Sequence, residues 1–295
     1  MSDAPIHKVA VIGAGTMGRG IAQVSAHAGY TITLYDADPA MPDRARDAIE
    51  ATLEKGIVRG KVTAEEKGRT LERLRLETDL AGAVSDADLV IEAVPERLDL
   101  KRDLFRELDA RAPATAILGS NTSSLSIADI AEVVERPGRV LGLHFFNPVH
   151  LMRLVEIIVA RGTGNGTVER AREFVESLGK RPIVVRDTPG FATSRLGLTL
   201  GLEAMRMLEE GVASAEDIDL AMELGYNHPM GPLKLTDLVG LDVRLAIAEH
   251  LAETIDARRF DPPAVLRRLV QEGNLGKKTG EGFYRWQDGE AVAKK

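Results

Sequence analysis

Val9-Ala10-Val11-Ile12-Gly13-Ala14-Gly15-Thr16-Met17-Gly18 is the stretch that decides the fold. A run of branched apolar residues reads as a strand, the glycines as a tight turn, and Ile21, Ala22, Val24 and Ser25 as a helix stopped by Gly29. Strand, glycine turn and helix in this order form a dinucleotide-binding unit. Gly13 permits the turn, Gly15 lets a pyrophosphate approach the backbone, and Gly18 lets helix and strand pack closely, with the phosphates at the helix N-terminus. The next strand ends at Asp36, eighteen residues after Gly18, where a carboxylate bonds the adenosine ribose hydroxyls. The same carboxylate repels a 2′-phosphate by about 4 kcal/mol at about 4 Å and an effective dielectric of about 20. NAD is therefore expected over NADP. Arg19 is close to the turn and reads as a helix-surface residue, and FAD, which uses a similar fingerprint, ranks a distant second.

The pattern continues outward from this unit. Strand-like runs rich in Val, Ile and Leu fall at residues 31–35, 89–94, 115–118 and 140–143, and runs at 155–159 and 183–185 extend the sheet. Their scarcity of polar alternation predicts a parallel, doubly wound sheet covered on both faces, an α/β Rossmann-type fold. After Asp187-Thr188-Pro189-Gly190 helical periodicity takes over until Phe283-Tyr284. The expected domains are therefore residues 1–187, binding the nucleotide, and 188–295, mostly α-helical. Ser214, Pro232 and Pro262 mark helix starts in the second. Within the first, residues 43–77 read as a helical hairpin insertion broken at Gly60, its second helix opening with the capping pattern Thr63-Ala64-Glu65-Glu66.

Bulk properties narrow the function classes. The 295 residues are 44% hydrophobic and 28% charged, as in ordinary globular proteins, and are long enough for two domains. A net charge of -7 argues against general binding to nucleic acid or an anionic membrane. With no cysteine there are no disulfides or thiolate metal sites, and the six histidines lack metal-binding spacing, so no metal is expected. No apolar run approaches the roughly 20 residues of a membrane span. The first strand begins near His7, leaving no room for a targeting peptide, and a cytoplasmic location is expected.

Leu143-His144-Phe145-Phe146-Asn147-Pro148, with Glu156 twelve positions after the histidine, carries the candidate chemistry. An imidazole whose other nitrogen is bonded to a carboxylate has a fixed tautomer and a stabilised imidazolium, which suits removal of an alcohol proton. From the residues alone, Ser123 reads as a loop or helix-cap serine, and Glu96 and Lys101 as a solvated charge pair.

The chain resembles the short-chain L-3-hydroxyacyl-CoA dehydrogenase family, which includes the bacterial 3-hydroxybutyryl-CoA dehydrogenases. The resemblance runs from the glycine motif through Ser120-Asn121-Thr122-Ser123-Ser124-Leu125 and His144-Phe145-Phe146-Asn147-Pro148. It continues through Asn227-His228-Pro229-Met230-Gly231-Pro232 to Gly276-Lys277-Lys278-Thr279-Gly280-Glu281-Gly282-Phe283-Tyr284. It implies reversible, NAD-dependent oxidation of the C3 hydroxyl of a 3-hydroxyacyl-CoA. By resemblance His144 is the base, Glu156 its carboxylate partner, and Ser123 the serine near the reacting oxygen. Gly13, Gly15, Thr16, Met17, Gly18, Asp36, Glu96, Lys101 and Asn121 would contact the cofactor, and Asn147 and Lys55 the substrate. Lys55 is the best candidate for coenzyme A, with Arg59 and Lys61 beside it. Residues 43–77 hold nine Lys or Arg and eight Asp or Glu, a net of +1, leaving -8 for the remainder of the -7 chain. The second domain would hold the acyl chain and form a homodimer. Ser194 departs from the pattern, standing in Pro189-Gly190-Phe191-Ala192-Thr193-Ser194-Arg195-Leu196 where the family carries an active-site asparagine. Two rival readings are a dehydrogenase of a free hydroxy acid or sugar acid and a non-catalytic NAD-binding relative.

Overall fold

The computed structural model describes residues 5–294, and the chain divides between Thr188 and Pro189 into two compact units. The first contains β1 (Lys8–Ile12), α1 (Thr16–His27), β2 (Thr31–Tyr35), α2 (Met41–Val58), α3 (Ala64–Glu72), β3 (Leu74–Glu77), α4 (Leu80–Val84) and β4 (Leu89–Glu92). It continues with α5 (Leu98–Arg111), β5 (Ile117–Ser120), α6 (Ile127–Ala131), β6 (Val140–Phe145), β7 (Leu154–Val159), α7 (Asn165–Ser177) and β8 (Arg181–Arg186).

These strands form one eight-stranded sheet in the order β3-β2-β1-β4-β5-β6-β7-β8. The first six keep the 3-2-1-4-5-6 order of a Rossmann domain and pair in parallel. Only residues 146–153 separate β6 from β7, too few for a crossover helix, so β7 returns antiparallel. α7 then provides the crossover that makes β8 parallel to β7. All residues of β4, β5 and β6 are buried, as expected of strands covered on both faces.

The insertion differs from its expected form at the far end. The Thr63 capping box is present, with Thr63 Oγ1 accepting from the Glu66 N–H and Glu66 Oε2 from the Thr63 N–H. Residues 74–77, expected to be helical, are instead β3, paired in register with Ile32 to Tyr35. The alternation Leu74-Arg75-Leu76-Glu77 has a period of two and suits an edge strand.

The second unit comprises α8 (Thr193–Glu209), α9 (Ala215–Gly225), α10 (Pro232–Val239), α11 (Leu241–Thr254), α12 (Ala257–Phe260), α13 (Ala264–Gln271) and a hairpin of β9 (Arg285–Gln287) and β10 (Glu290–Val292). Ser214 caps α9 through the Asp217 N–H. The hairpin, absent from the sequence reading, turns at Asp288 and Gly289, whose φ values of 50° and 88° suit a two-residue turn. Two carboxylates with no exposed surface organise this unit. Asp237 accepts from Phe283 N, Tyr284 N and Trp286 Nε1 at 2.8 to 2.9 Å. Asp219 accepts from Leu233 N, Lys234 N and Tyr284 Oη over the same distances. Among the described residues, no helix is long and apolar enough to cross a membrane, and no group of three or more His, Asp or Glu side chains could hold a metal ion.

Candidate active site

The glycine turn is shaped by what its positions exclude. Gly13 has φ of 103°, and a methyl group added there would stand 2.7 Å from the Ala93 carbonyl oxygen. One added to Gly18 would overlap the Gly13 carbonyl. Gly15 has nothing within 4 Å of the equivalent point and is the N-cap of α1 without any side-chain cap. The first turn of α1 therefore presents its N–H groups beside open space, the arrangement that takes a phosphate. Asp36 is fixed next to it, with Oδ2 accepting from Ala14 N at 2.7 Å and Oδ1 from Asp38 N at 3.0 Å. Exposed Thr16 and Asn147 line one small cleft, and Met17 is half-buried in the first turn.

His144 and Glu156 lie directly opposite each other on antiparallel β6 and β7. Nδ1 and Oε2 are 2.7 Å apart, with 7% and 0% of the two residues exposed. The neutral ring therefore carries its proton on Nδ1 toward the carboxylate, leaving Nε2 as the basic nitrogen. Phe146 packs on the imidazole with ring centroids 4.3 Å apart.

Glu96 gathers the loop that carries Ser123. Its Oε1 accepts from Thr122 Oγ1 at 2.6 Å, from Ser123 N at 2.9 Å and from Ser124 N at 3.2 Å, and it lies 3.3 Å from Ser123 Oγ. Burial pushes the Glu96 carboxyl upward, but Lys101 and these hydrogen bonds outweigh it and hold the group below the usual carboxylate range. Lys101 is not the solvated charge that the residues alone suggest. It is 1% exposed, with Nζ 2.5 Å from Glu92 Oε1 and 3.3 Å from Glu96 Oε2. Glu92, wholly buried, also accepts from Ser120 Oγ at 2.6 Å and Val94 N at 2.8 Å. Burial raises the Glu92 carboxyl despite Lys101 opposite it. Asn121 joins this cluster to the histidine strand, its Oδ1 accepting from Phe145 N at 2.9 Å. All these groups sit at the C-terminal ends of β4, β5 and β6, where open α/β sheets bind ligands.

Exposed Lys55 belongs to a separate cleft of about 670 Å³ between α1, α2 and the start of β8. Its lining includes Lys55, Arg59, Lys61, Lys180, His27 and His150 and no carboxylate. Lys180 Nζ donates to the carbonyls of Val149 and Met152 at 2.6 and 2.7 Å, tying the segment after Asn147-Pro148 to β8. Burial, then Lys180 and Arg59, hold the His150 imidazole below its usual range. Ser194 stands in the first turn of α8 in the second unit, half-buried.

The family model for the 3-hydroxyacyl-CoA dehydrogenase NAD binding domain matches residues 8–188, and that for the C-terminal domain of the same family matches residues 190–286. The chain belongs to the 3-hydroxyacyl-CoA dehydrogenase family. It is 44% identical over 288 residues to a 3-hydroxybutyryl-CoA dehydrogenase of Mycobacterium tuberculosis, covering 97% of this chain and 100% of the relative. It is 46% identical over 283 residues to the 3-hydroxyadipyl-CoA dehydrogenase of Escherichia coli, covering 96% of this chain but spanning 59% of that longer protein. The solved (S)-3-hydroxybutyryl-CoA dehydrogenase of Ralstonia eutropha superposes with a TM-score of 0.92 at 38% identity, covering 96% of this chain and all of that one. As a 3-hydroxyacyl-CoA dehydrogenase family member, the chain brings together two groups of expected residues: His144 with Glu156, and Glu96 with Ser123. Glu92, Ser120 and Lys180 were not read from the sequence. The one local signal was an acid closing the apolar run Leu89-Val90-Ile91-Glu92.

Proposed function

We propose that this protein oxidises the C3 hydroxyl of an L-3-hydroxyacyl-CoA to the 3-oxoacyl-CoA, reversibly and with NAD. The observation that carries the proposal is the buried His144–Glu156 pair at 2.7 Å, in a chain of this family. His144 Nε2 takes the hydroxyl proton as the C3–H bond breaks. Glu156 keeps the ring in the required tautomer and stabilises the imidazolium that forms. NAD, when bound on the turn at Gly13, Gly15 and Gly18 with its ribose at Asp36, supplies the hydride acceptor. Ser123 meets the reacting oxygen. Its hydroxyl donates to that oxygen while His144 takes the substrate proton, and Glu96, held in place by Lys101, fixes the loop that carries Ser123.

The basic cleft at Lys55, Arg59 and Lys61 is the proposed seat of the coenzyme A phosphates, and its lack of lining carboxylates supports that reading. Ser194 would position substrate in place of the family's amide, with a shorter reach. A homodimer through the helical unit is supported by the apolar side chains it leaves exposed, including Leu224 at 80% and Tyr226 at 75%. A cytoplasmic location is proposed with it.

The test is NADH consumption with acetoacetyl-CoA, repeated with NADPH and with free 3-oxo acids, in wild type and His144→Gln. Wild type should use the thioester with NADH, and the variant should lose roughly 100- to 10,000-fold in turnover. Undiminished turnover in folded His144→Gln would refute the assignment.

A further inference from the structure

The glycine turn abuts the segment that follows β4. A methyl group on Gly13 would stand 3.1 Å from Val94 N, and Ala93 N donates to the Ile12 carbonyl at 2.7 Å. A dinucleotide with its adenosine ribose at Asp36 and its pyrophosphate at the end of β1 continues along the strand order β2-β1-β4, so its nicotinamide half falls beside residues 93–96. Three ionisable side chains belong to this segment and its supports. Glu92 and Lys101 are 0% and 1% exposed, whereas the side chain of Glu96 is 36% exposed.

Two carboxylates share one ammonium here, a net charge of -1. Lys101 Nζ is 2.5 Å from Glu92 Oε1 and 3.3 Å from Glu96 Oε2, so the closer pairing is with the acid that has no exposed surface. Glu92 also accepts from Val94 N at 2.8 Å and from Ser120 Oγ at 2.6 Å. Thr122 N donates to Ser120 Oγ at 3.3 Å, which leaves the serine proton for Glu92. All three groups around Glu92 are donors, as an ionised carboxylate requires. Burial raises the Glu92 carboxyl, and these donors favour its charged form against that rise. Lys101 with Glu96 alone would be a neutral pair, free of the cost of desolvating a second acid. What Glu92 adds for that cost is one negative charge.

We infer that Glu92 sets the charge of the cofactor site: by taking up the charge of Lys101 it leaves Glu96 anionic beside the dinucleotide, which raises affinity for the oxidised nicotinamide relative to the reduced one. The oxidised ring is a cation and the reduced ring is neutral, so a neighbouring negative charge stabilises only the first. Having no exposed surface, Glu92 touches neither cofactor nor substrate and acts through Lys101 and Glu96 as a positioning residue. The inference rests on NAD at the glycine turn and is independent of which thioester is oxidised.

The experiment measures dissociation constants of NAD and NADH by calorimetry, without any thioester, for wild type, Glu92→Gln and Glu92→Asp. Glu92→Gln removes the charge at nearly constant shape, so that Lys101 neutralises Glu96; NAD should weaken about five- to thirtyfold while NADH changes by less than about twofold. Glu92→Asp, shorter but still charged, should keep the wild-type ratio of the two constants within about twofold even where both affinities fall. Equal weakening of both nucleotides in folded Glu92→Gln would overturn the inference and leave Glu92 a packing element. The same would follow if Glu92→Asp altered the ratio as much as Glu92→Gln. Should Glu92→Gln fail to fold, carbon-13 NMR of the glutamate carboxyls in wild type decides: Glu92 should be ionised at neutral pH, and a protonated Glu92 would overturn the inference. Binding of neither nucleotide by wild type would overturn the cofactor placement with it, whereas failure to turn over a thioester would touch only the proposed reaction.

Discussion

Glu156→Gln isolates the charge on the carboxylate behind His144 while keeping its shape. Glu156 has no exposed surface, and its Oε2 is 2.7 Å from His144 Nδ1, so the variant makes no new cavity. In the oxidation step the imidazole becomes a cation against this group. A lower bound comes from exchanging a hydrogen bond to a charged group for a neutral one, about 1.5 kcal/mol, or roughly tenfold in rate. An upper bound is the interaction of a unit pair about 4 Å apart at an effective dielectric of about 20, about 4 kcal/mol, or nearly a thousandfold. If the glutamine turns its NH2 toward Nδ1, the proton moves to Nε2 and the basic nitrogen is lost, placing the result near the upper bound. The assay is single-turnover NADH formation from 3-hydroxybutyryl-CoA, with NAD affinity and melting temperature measured alongside. A folded variant with normal NAD binding and a rate within twofold of wild type would refute the electrostatic role of Glu156.

The turn separates packing from binding: Gly18→Ala should cost about 1–3 kcal/mol and lower the melting temperature, because its methyl group meets the Gly13 carbonyl. Gly15→Ala, which has room, should leave that temperature unchanged and weaken NAD at least about tenfold by calorimetry, since the methyl intrudes where the pyrophosphate passes. Lys55→Glu should weaken acyl-CoA binding about tenfold and spare NAD, and equal loss of both would contradict its place in the basic cleft. His150, held low by burial with Lys180 and Arg59, should titrate by NMR below the ordinary imidazole range in the free protein and higher with acyl-CoA bound. A group whose value rises on binding takes up a proton, so acyl-CoA affinity should increase as pH falls through the window between the two values and level off below it. Affinity independent of pH across that window would remove His150 from the site.

The sheet was legible because each of its first units repeats an apolar run followed by helical spacing, and the glycine turn supplies a residue-by-residue reason for its shape. β3 escaped because four residues with two charges, Arg75 and Glu77, offer little hydrophobic pattern, and the neighbouring helical periodicity absorbed them. The histidine pair could be anticipated from two residue types twelve positions apart, a separation that a short return between strands converts into direct opposition. Glu92 could not, because its partners Lys101 and Ser120 lie nine and 28 positions away and meet it only in the folded sheet. Lys234 of α10 pairs with Glu223 of α9 at 3.1 Å, a contact that spacing alone did not indicate.

The grip of Asp237 on residues 283, 284 and 286 makes the tail of the chain a keystone of the helical unit. Trimming back past Tyr284 would deprive buried Asp237 of two of its three donors and buried Asp219 of one of its three. The cost of such a trim would be felt throughout the bundle, so cloning boundaries and cleavable handles belong beyond Val292, outside the last hairpin strand.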